Sequence, residues 1–305
     1  MELLTPTGWT DYELIDTGNR EKLERFGRYT LARPEPQAVW QKSLPESEWI
    51  SLTDARYVRQ RGKKEGEEGE RGSWSVRKGI PDQWTIGYRY KEMKLTFRLG
   101  LTAFGHIGVF PEQAENWDYI FEVTPSLPSP RRGRVGVGVP RVLNLFAYTG
   151  GASLAAKSAG ADVVHVDSVR PVITWAKEIM EASGLDGIRW VVEDAMNFAR
   201  REAKRGNRYD GIILDPPAYG RGPAGEKWVL EESIDELLAV CAQLLAPGKG
   251  FFILSLYSMG FSALIAENLV KSHFGEVPGM QSGELYFSDR AGRKLPLGTF
   301  LRFNR

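Results

Sequence analysis

The chain has 305 residues, 42% of them hydrophobic and 26% charged, an ordinary globular composition with enough apolar material for a sizeable core. Forty basic residues against 39 acidic ones leave a formal charge of +1, which excludes a global pull toward nucleic acid or an anionic membrane; any nucleic-acid surface has to be a local patch. One cysteine, Cys241, and three scattered histidines, His106, His165 and His273, exclude a disulfide framework within the chain and predict no metal site. The opening MELLTPTGWTDYELID lacks the basic start and apolar run of a signal peptide, and no stretch has the apolar length a bilayer requires, so a cytoplasmic protein without membrane contact is expected.

Residues 1–105 are rich in Trp, Tyr, Arg and Gly in short alternating runs and are read as a β-rich N-terminal domain, with residues 106–305 as a second, α/β domain. Segments 84–90 and 95–99 alternate with period two, and Lys91-Glu92 suits the turn of a hairpin between them. Residues 58–72 hold almost nothing apolar and are expected to be a solvated loop; charges of both signs argue against a dedicated RNA arm. The tryptophans Trp9, Trp40, Trp49, Trp74 and Trp84 are expected mostly in a core, with the domain as a whole walling a substrate cleft. Pro111 suits the first turn of a helix over 111–121, and a proline-rich linker and the basic run Arg131-Arg132-Gly133-Arg134 follow.

From Arg141 the pattern changes. Strands are predicted at 142–146, 162–166, 188–192, 211–214 and 251–255, each followed by a helix: 152–158, 171–182, 195–204, 226–245 and 261–272. In the fourth helix Leu230, Ile234, Leu237, Leu238, Cys241 and Leu245 share one face, which assigns Cys241 to core packing. Such alternation predicts parallel strands joined by right-handed crossovers. Two further strands, near 284–287 and 300–303, close the chain.

The chemistry-bearing residues cluster at predicted strand ends. Ala147-Tyr148-Thr149-Gly150-Gly151 places a glycine pair between strand and helix, where backbone can approach a ligand and the helix N–H groups favour polar or anionic groups. Asp167, 16 residues after Gly151, ends the second strand, where a carboxylate can accept both hydroxyls of a ribose. Glu193-Asp194 ends the third; an acid there could accept an adenine amino group beside Met196, or Asp194 could simply cap the next helix. The fourth ends in Asp215-Pro216-Pro217-Ala218-Tyr219, where two prolines hold the backbone extended. Free carbonyls and the Asp215 carboxylate can then accept hydrogen bonds from a substrate nitrogen, and Tyr219 can stack on a planar base.

Taken together, Leu143 to Gly151, Val166-Asp167-Ser168, Glu193-Asp194-Ala195 and Ile213 to Tyr219 resemble, in order, the motifs of the S-adenosylmethionine (SAM)-dependent methyltransferases of the large-subunit rRNA methyltransferase I/K type. The resemblance covers about residues 100–275 and implies a Rossmann-like sheet ending in an antiparallel hairpin. It implies that Phe146, Tyr148, Thr149, Gly150 and Gly151 hold the methionine end of SAM, that Asp167 and Ser168 hold the ribose, and that Asp194 and Ala195 hold the adenine. Upstream, Gly108 to Trp117 resembles a family segment with Gln and Asn at two places; Ala114 and Trp117 stand where that segment has arginines, and only Gln113 is carried over as a cofactor residue. Asp215, Pro216, Pro217 and Tyr219 are the catalytic candidates.

Two departures bear on the acceptor. The family's N-terminal RNA-binding module is not recognisable in residues 1–100, and the cysteine that carbon-5 cytosine methyltransferases carry after the fifth strand is absent, the region reading Ser255-Leu256-Tyr257-Ser258. Carbon-5 of a pyrimidine needs covalent activation by a thiolate, so the expected acceptor is a nitrogen or oxygen of an RNA base, rRNA in the first instance, methylated by direct in-line transfer. The alternatives are a small-molecule or protein side-chain acceptor, and a non-catalytic SAM- or RNA-binding module.

Overall fold

The computed structural model describes residues 1–59, 72–77, 79–127, 129–130, 137–257 and 260–305. Most of the charged segment 58–72, the basic run 131–134 and Ser258 lie outside the described residues.

The chain begins with β1 (Glu2–Leu4) and then builds a five-stranded sheet from β2 (Tyr12–Gly18), β3 (Glu21–Phe26), β4 (Tyr29–Pro34), β5 (Ala55–Arg59) and β6 (Gly72–Val76), in that order. The short helix α1 (Glu46–Leu52) lies between β4 and β5, the one parallel pair in this sheet. Its Trp49 is fully buried and donates its indole N–H to Asp16 at 2.7 Å. The predicted hairpin is β7 (Gln83–Tyr90) and β8 (Met93–Gly100), turning at Lys91 in the left-handed region.

After a 3-10 turn at Pro111–Gln113 come α2 (Ala114–Val123) and the short pair β9 (Ser129–Pro130) and β10 (Val137–Gly138). The alternating region follows: β11 (Arg141–Leu145), α3 (Gly151–Ser158), β12 (Asp162–Asp167), α4 (Arg170–Ala182), β13 (Ile188–Val192), α5 (Ala195–Lys204) and β14 (Gly211–Leu214). Then come the small hairpin β15 (Tyr219–Arg221) and β16 (Lys227–Val229), α6 (Leu230–Leu244), β17 (Phe251–Leu256), α7 (Ala263–Phe274), β18 (Gln281–Ser288) and β19 (Lys294–Asn304). The large sheet runs β1-β18-β19-β17-β14-β11-β12-β13, parallel from β17 to β13, with β19 antiparallel to β17 and to β18. This is a Rossmann-like sheet with a terminal antiparallel hairpin. β1 adds to its edge beside β18, so the first residues of the chain close a sheet made mostly by the last two thirds.

Strand residues alternate between two cores because successive side chains point to opposite faces. Val142, Val163, Ile213 and Ile253 pack with α3, α4, α2 and the β7–β8 hairpin. Leu143, Leu145, Val164, Ile212 and Leu254 pack with α5, α6 and α7. The hairpin is tied to α4 by polar contacts: Trp175 donates its indole N–H to the Arg98 carbonyl at 2.8 Å, and Arg98 pairs with Glu178 at 2.8 Å.

Among the predicted boundaries that move, two lie beside the strand-end loops that carry the candidate residues. Phe146 is not the last residue of β11 but the first of the following loop, with φ at +56°. The helix predicted from residue 226 begins at Leu230, because Lys227–Val229 pairs with Tyr219–Arg221, and Trp228 is buried with its indole N–H on the Pro217 carbonyl at 2.7 Å.

Candidate active site

From β11 the chain crosses outward through β12 to β13 and then returns by α5 to β14 on the other side of β11, and this reversal of strand order opens a crevice at the carboxyl ends of these strands. A cleft of about 520 Å³, counting the space at its mouth, lies there. It is lined by the β11–α3 loop, by Gln113, Asn116 and Trp117 around the start of α2, by Phe97 of β8, and by Asp215 and Ser255 at the ends of β14 and β17.

The loop is strained. Phe146 and Tyr148 are left-handed at φ +56° and +48°, and Gly150 follows at +90°. A non-glycine residue in that region costs on the order of 1 kcal/mol, so something must hold it. Ala147 N–H donates to the Val166 carbonyl at 3.1 Å, Tyr148 N–H to Asp167 Oδ2 at 2.9 Å, and the Thr149 hydroxyl to the Gly108 carbonyl at 2.8 Å. The Phe146 ring packs on Trp228, with centroids 4.8 Å apart, and the Tyr148 ring on Phe110 at 5.3 Å. Gly151 admits no side chain: a Cβ there would stand 2.5 Å from the Trp117 ring.

Beneath the loop lies a polar floor. The Asn116 amide donates to Gln113 Oε1 at 2.9 Å and to Ser255 Oγ at 3.1 Å, and Ser255 donates to Gln113 Oε1 at 3.2 Å. Asn116 is 2% exposed, and its Oδ1 has no partner among the described residues, an arrangement that costs free energy unless a ligand donates to it. A second chain runs from Asn144 to Ser153 at 2.9 Å and on to His165 Nδ1 at 3.0 Å; burial holds that imidazole down to about 3, so it is neutral.

Asp167 accepts one backbone N–H on each oxygen, from Tyr148 and from Val169, both at 2.9 Å, and keeps spare lone pairs on both. Its burial raises the carboxyl above its ordinary range. Asp215 is different. No hydrogen bond reaches its carboxylate among the described residues, and burial pushes it up to about 7. Glu112, 6% exposed, is also pushed up to about 7 by burial; Lys22 pulls it down, and the charges of Glu24 and Asp215 push it further up.

Phe146, Tyr148, Thr149, Gly150, Gly151, Gln113 and Asp215 therefore meet in one cleft, and Asp167 joins it through the loop. Ser168, Asp194, Ala195, Pro216, Pro217 and Tyr219 are not among its lining residues. Asp194 caps α5 through Asn197 N–H at 2.8 Å, and Ala195 is buried in the core behind it. Pro216 is buried, while Pro217 and Tyr219 are exposed beyond the cleft. The expectation that the proline segment leaves free carbonyls is corrected in part: those of Pro217 and Ala218 are taken by Trp228 Nε1–H and Leu230 N–H. Sequence reasoning missed Glu112, Asn144 and Trp117, and passed over Asn116 and Ser255, although Asn116 stands in the segment that drew attention to Gln113. The basic stretch Arg200-Arg201-Glu202-Ala203-Lys204-Arg205 of α5 and its end is largely neutralised, Arg200 pairing with Glu236, Arg201 with Glu193 and Arg205 with Glu202.

The family model of S-adenosylmethionine-dependent methyltransferases matches residues 131–280. A SAM-dependent methyltransferase of solved structure from Agrobacterium tumefaciens is 35% identical, covering 100% of this chain and 93% of its own, with a TM-score of 0.85. The chain belongs to the SAM-dependent methyltransferases. Among curated proteins, the methyltransferase is 34% identical over 121 residues to ribosomal RNA large subunit methyltransferase I of Aeromonas salmonicida, a match covering 35% of this chain and 28% of the relative. It is 30% identical over 162 residues to methyltransferase K/L of Shewanella frigidimarina, covering 52% and 20% respectively. The matches thus span less than a third of the length of these relatives.

The residues of the cleft fit SAM. The orphaned Asn116 Oδ1 matches an ammonium donor, the spare lone pairs of Asp167 match a ribose diol, and the Gly150–Gly151 backbone leaves room for close approach. No helix among the described residues is long and apolar enough to cross a membrane, and no group of three or more His, Cys, Asp or Glu among them is placed to hold a metal ion.

Proposed function

We propose that this methyltransferase modifies a nitrogen of a nucleobase in RNA, with rRNA as the polymer, by direct in-line transfer and without a cysteine nucleophile. The observation that carries this reading is Asp215: a carboxylate at the carboxyl end of β14, facing the cleft, with no protein partner among the described residues and an affinity for protons close to neutrality. With the Pro217 and Ala218 carbonyls occupied, Asp215 and the Pro216 carbonyl are the acceptors this segment offers to an amino or ring N–H group. Asn116 and Gln113 take the methionine end of SAM, Asp167 and Ser168 the ribose, and Asp194 and Ala195 the adenine side. Bound SAM supplies an electrophilic methyl group. Asp215 orients the acceptor nitrogen in line with it and takes up the proton released as the nitrogen–carbon bond forms, while Tyr219 flanks the ring.

A thiol route has no support. Cys241 is fully buried on α6, and burial drives its thiol far above the ordinary range, which disfavours the thiolate such a route needs. Support for RNA comes from the names of the curated relatives, set against the short share of those proteins that is matched.

The test is incubation with methyl-labelled SAM and separate pools of RNA, protein and metabolites from cells lacking the gene, followed by mass identification of any labelled nucleoside. An N-methylated base is the expected product. Asp215→Ala should abolish its formation and leave SAM binding within about twofold. Label confined to protein or metabolites would replace this reading with the small-molecule or side-chain alternative, and 5-methylcytosine would overturn the direct-transfer chemistry.

A further inference from the structure

β17 lies beside β14 with Leu254 opposite Leu214, so the residues leaving the two strands stand next to each other. The pairing ends there; Asp215 and Ser255, the residues that follow, both line the cleft, and Tyr257 stands two residues beyond Ser255. The hairpin that carries Tyr219 leans to the other flank of β14, toward β11, where Trp228 packs on Phe146. Tyr257 thus leaves the end of β17, the neighbour of β14, just beyond a residue of the cleft.

The state of Tyr257 is unusual. The residue is 49% exposed, yet its hydroxyl is fastened, donating to the two oxygens of Glu35 at 3.0 and 3.2 Å. Glu35 follows β4 directly, is 1% exposed, and faces Lys22 of β3 at 3.2 Å. Lys22 stands 3.7 Å from Glu24, which holds Arg33 at 2.7 Å and accepts from the Tyr12 hydroxyl at 3.0 Å. A carboxylate as deeply buried as Glu35 requires such partners; Lys22, the Tyr257 hydroxyl and the Gln37 backbone N–H, which donates at 3.3 Å, hold it in place. An exposed tyrosine ordinarily turns freely. This one is tied by its hydroxyl to a buried ion-pair network 222 residues away in sequence, so its ring is held rather than free to turn.

We propose that Tyr257, latched to Glu35 and Lys22 of the N-terminal sheet, is a specificity-determining wall of the acceptor subsite and selects a planar heteroaromatic ring by stacking. The inference rests on the nucleobase reading above. It makes the N-terminal sheet part of acceptor selection: β3 and β4 set the angle of a ring that the C-terminal half supplies. A flexible aliphatic amine gains little from such a wall, whereas a base gains its whole face.

The experiment uses the full chain, methyl-labelled SAM and RNA from cells lacking the gene, with kcat and KM for RNA read beside the SAM dissociation constant. Tyr257→Ala should raise KM about tenfold or more, the range of base–aromatic stacking, with SAM affinity within about twofold. Tyr257→Phe keeps the ring and loses only the latch, so KM should rise roughly threefold with kcat nearly unchanged; Glu35→Gln should fall between the two. A merely structural role would instead lower SAM affinity and thermal stability together. If the wild type methylates an RNA base and Tyr257→Phe and Tyr257→Ala leave KM unchanged, the stacking wall is refuted and the nucleobase reading stands. If the wild type labels no RNA, both fall.

Discussion

Replacing Glu112 by glutamine should stabilise the protein at pH 8 and much less at pH 5. Glu112 is 6% exposed, and burial holds its carboxyl near 7 against 4.5 for a free side chain. The folded state therefore binds this proton more tightly than the unfolded state does. The favourable contribution is fully present below about pH 4.5 and is lost as the pH rises through about 7. At pH 8 the folded wild type carries a buried charge that Lys22 does not fully compensate, whereas glutamine has the same shape and no charge. A displacement from 4.5 to about 7, at ~1.4 kcal/mol per pH unit, amounts to ~3 kcal/mol at pH 8 and shrinks below ~1 kcal/mol at pH 5. Urea titrations of both proteins at the two pH values read this directly. An equal effect at both pH values, or a variant less stable at pH 8, would refute the assignment of a strained buried carboxylate.

The pH dependence of transfer reports on Asp215 itself. With its carboxyl near 7 and the ionised form as acceptor, kcat/KM should fall about tenfold per pH unit below ~7, and a flat profile from pH 8 to 5.5 would remove Asp215 from proton transfer. Gly151→Ala forces a methyl group to within 2.5 Å of Trp117, which should cost ~1–3 kcal/mol of stability and weaken SAM binding; calorimetry showing wild-type affinity would place the loop away from the methyl donor. Cys241→Ala should cost about 1 kcal/mol from the space left in the α6 core and leave transfer unchanged, and a folded variant without turnover would restore a thiol to the mechanism.

Local pattern reached the alternating half well, because there each strand and helix is specified by its own residues. Gly211–Leu214 is uniformly apolar and ends at Asp215, Ile188–Val192 is apolar apart from Arg189 and ends at Glu193, and α5 is capped by Asp194, whose side chain satisfies an orphan N–H of the first turn. The capping and ligand readings of Asp194 were both open from sequence. The structure forms the cap, and a capping carboxylate keeps lone pairs for a ligand, so the two roles are compatible. Where prediction slipped, distant partners were responsible. Residues 226–229 have helix-compatible spacing, but Trp228 gains more from burial against Phe146 and a hydrogen bond to Pro217 than from one extra helical turn.

The sequence alone determined the parallel α/β order, the glycine loop, the strand-end acids and the Asp215-Pro216-Pro217 segment, because hydrophobic periodicity, glycine and proline act over a few residues. Tertiary structure decided what those groups face. Asn116 and Ser255 share a hydrogen bond across 139 residues, Tyr257 is fastened to Glu35 across 222, and Glu112 meets the charge of Asp215 only in the folded cleft. Partnership, burial and the proton affinities that follow from them are set by low-dielectric contact between segments remote in the chain, and no local pattern encodes that.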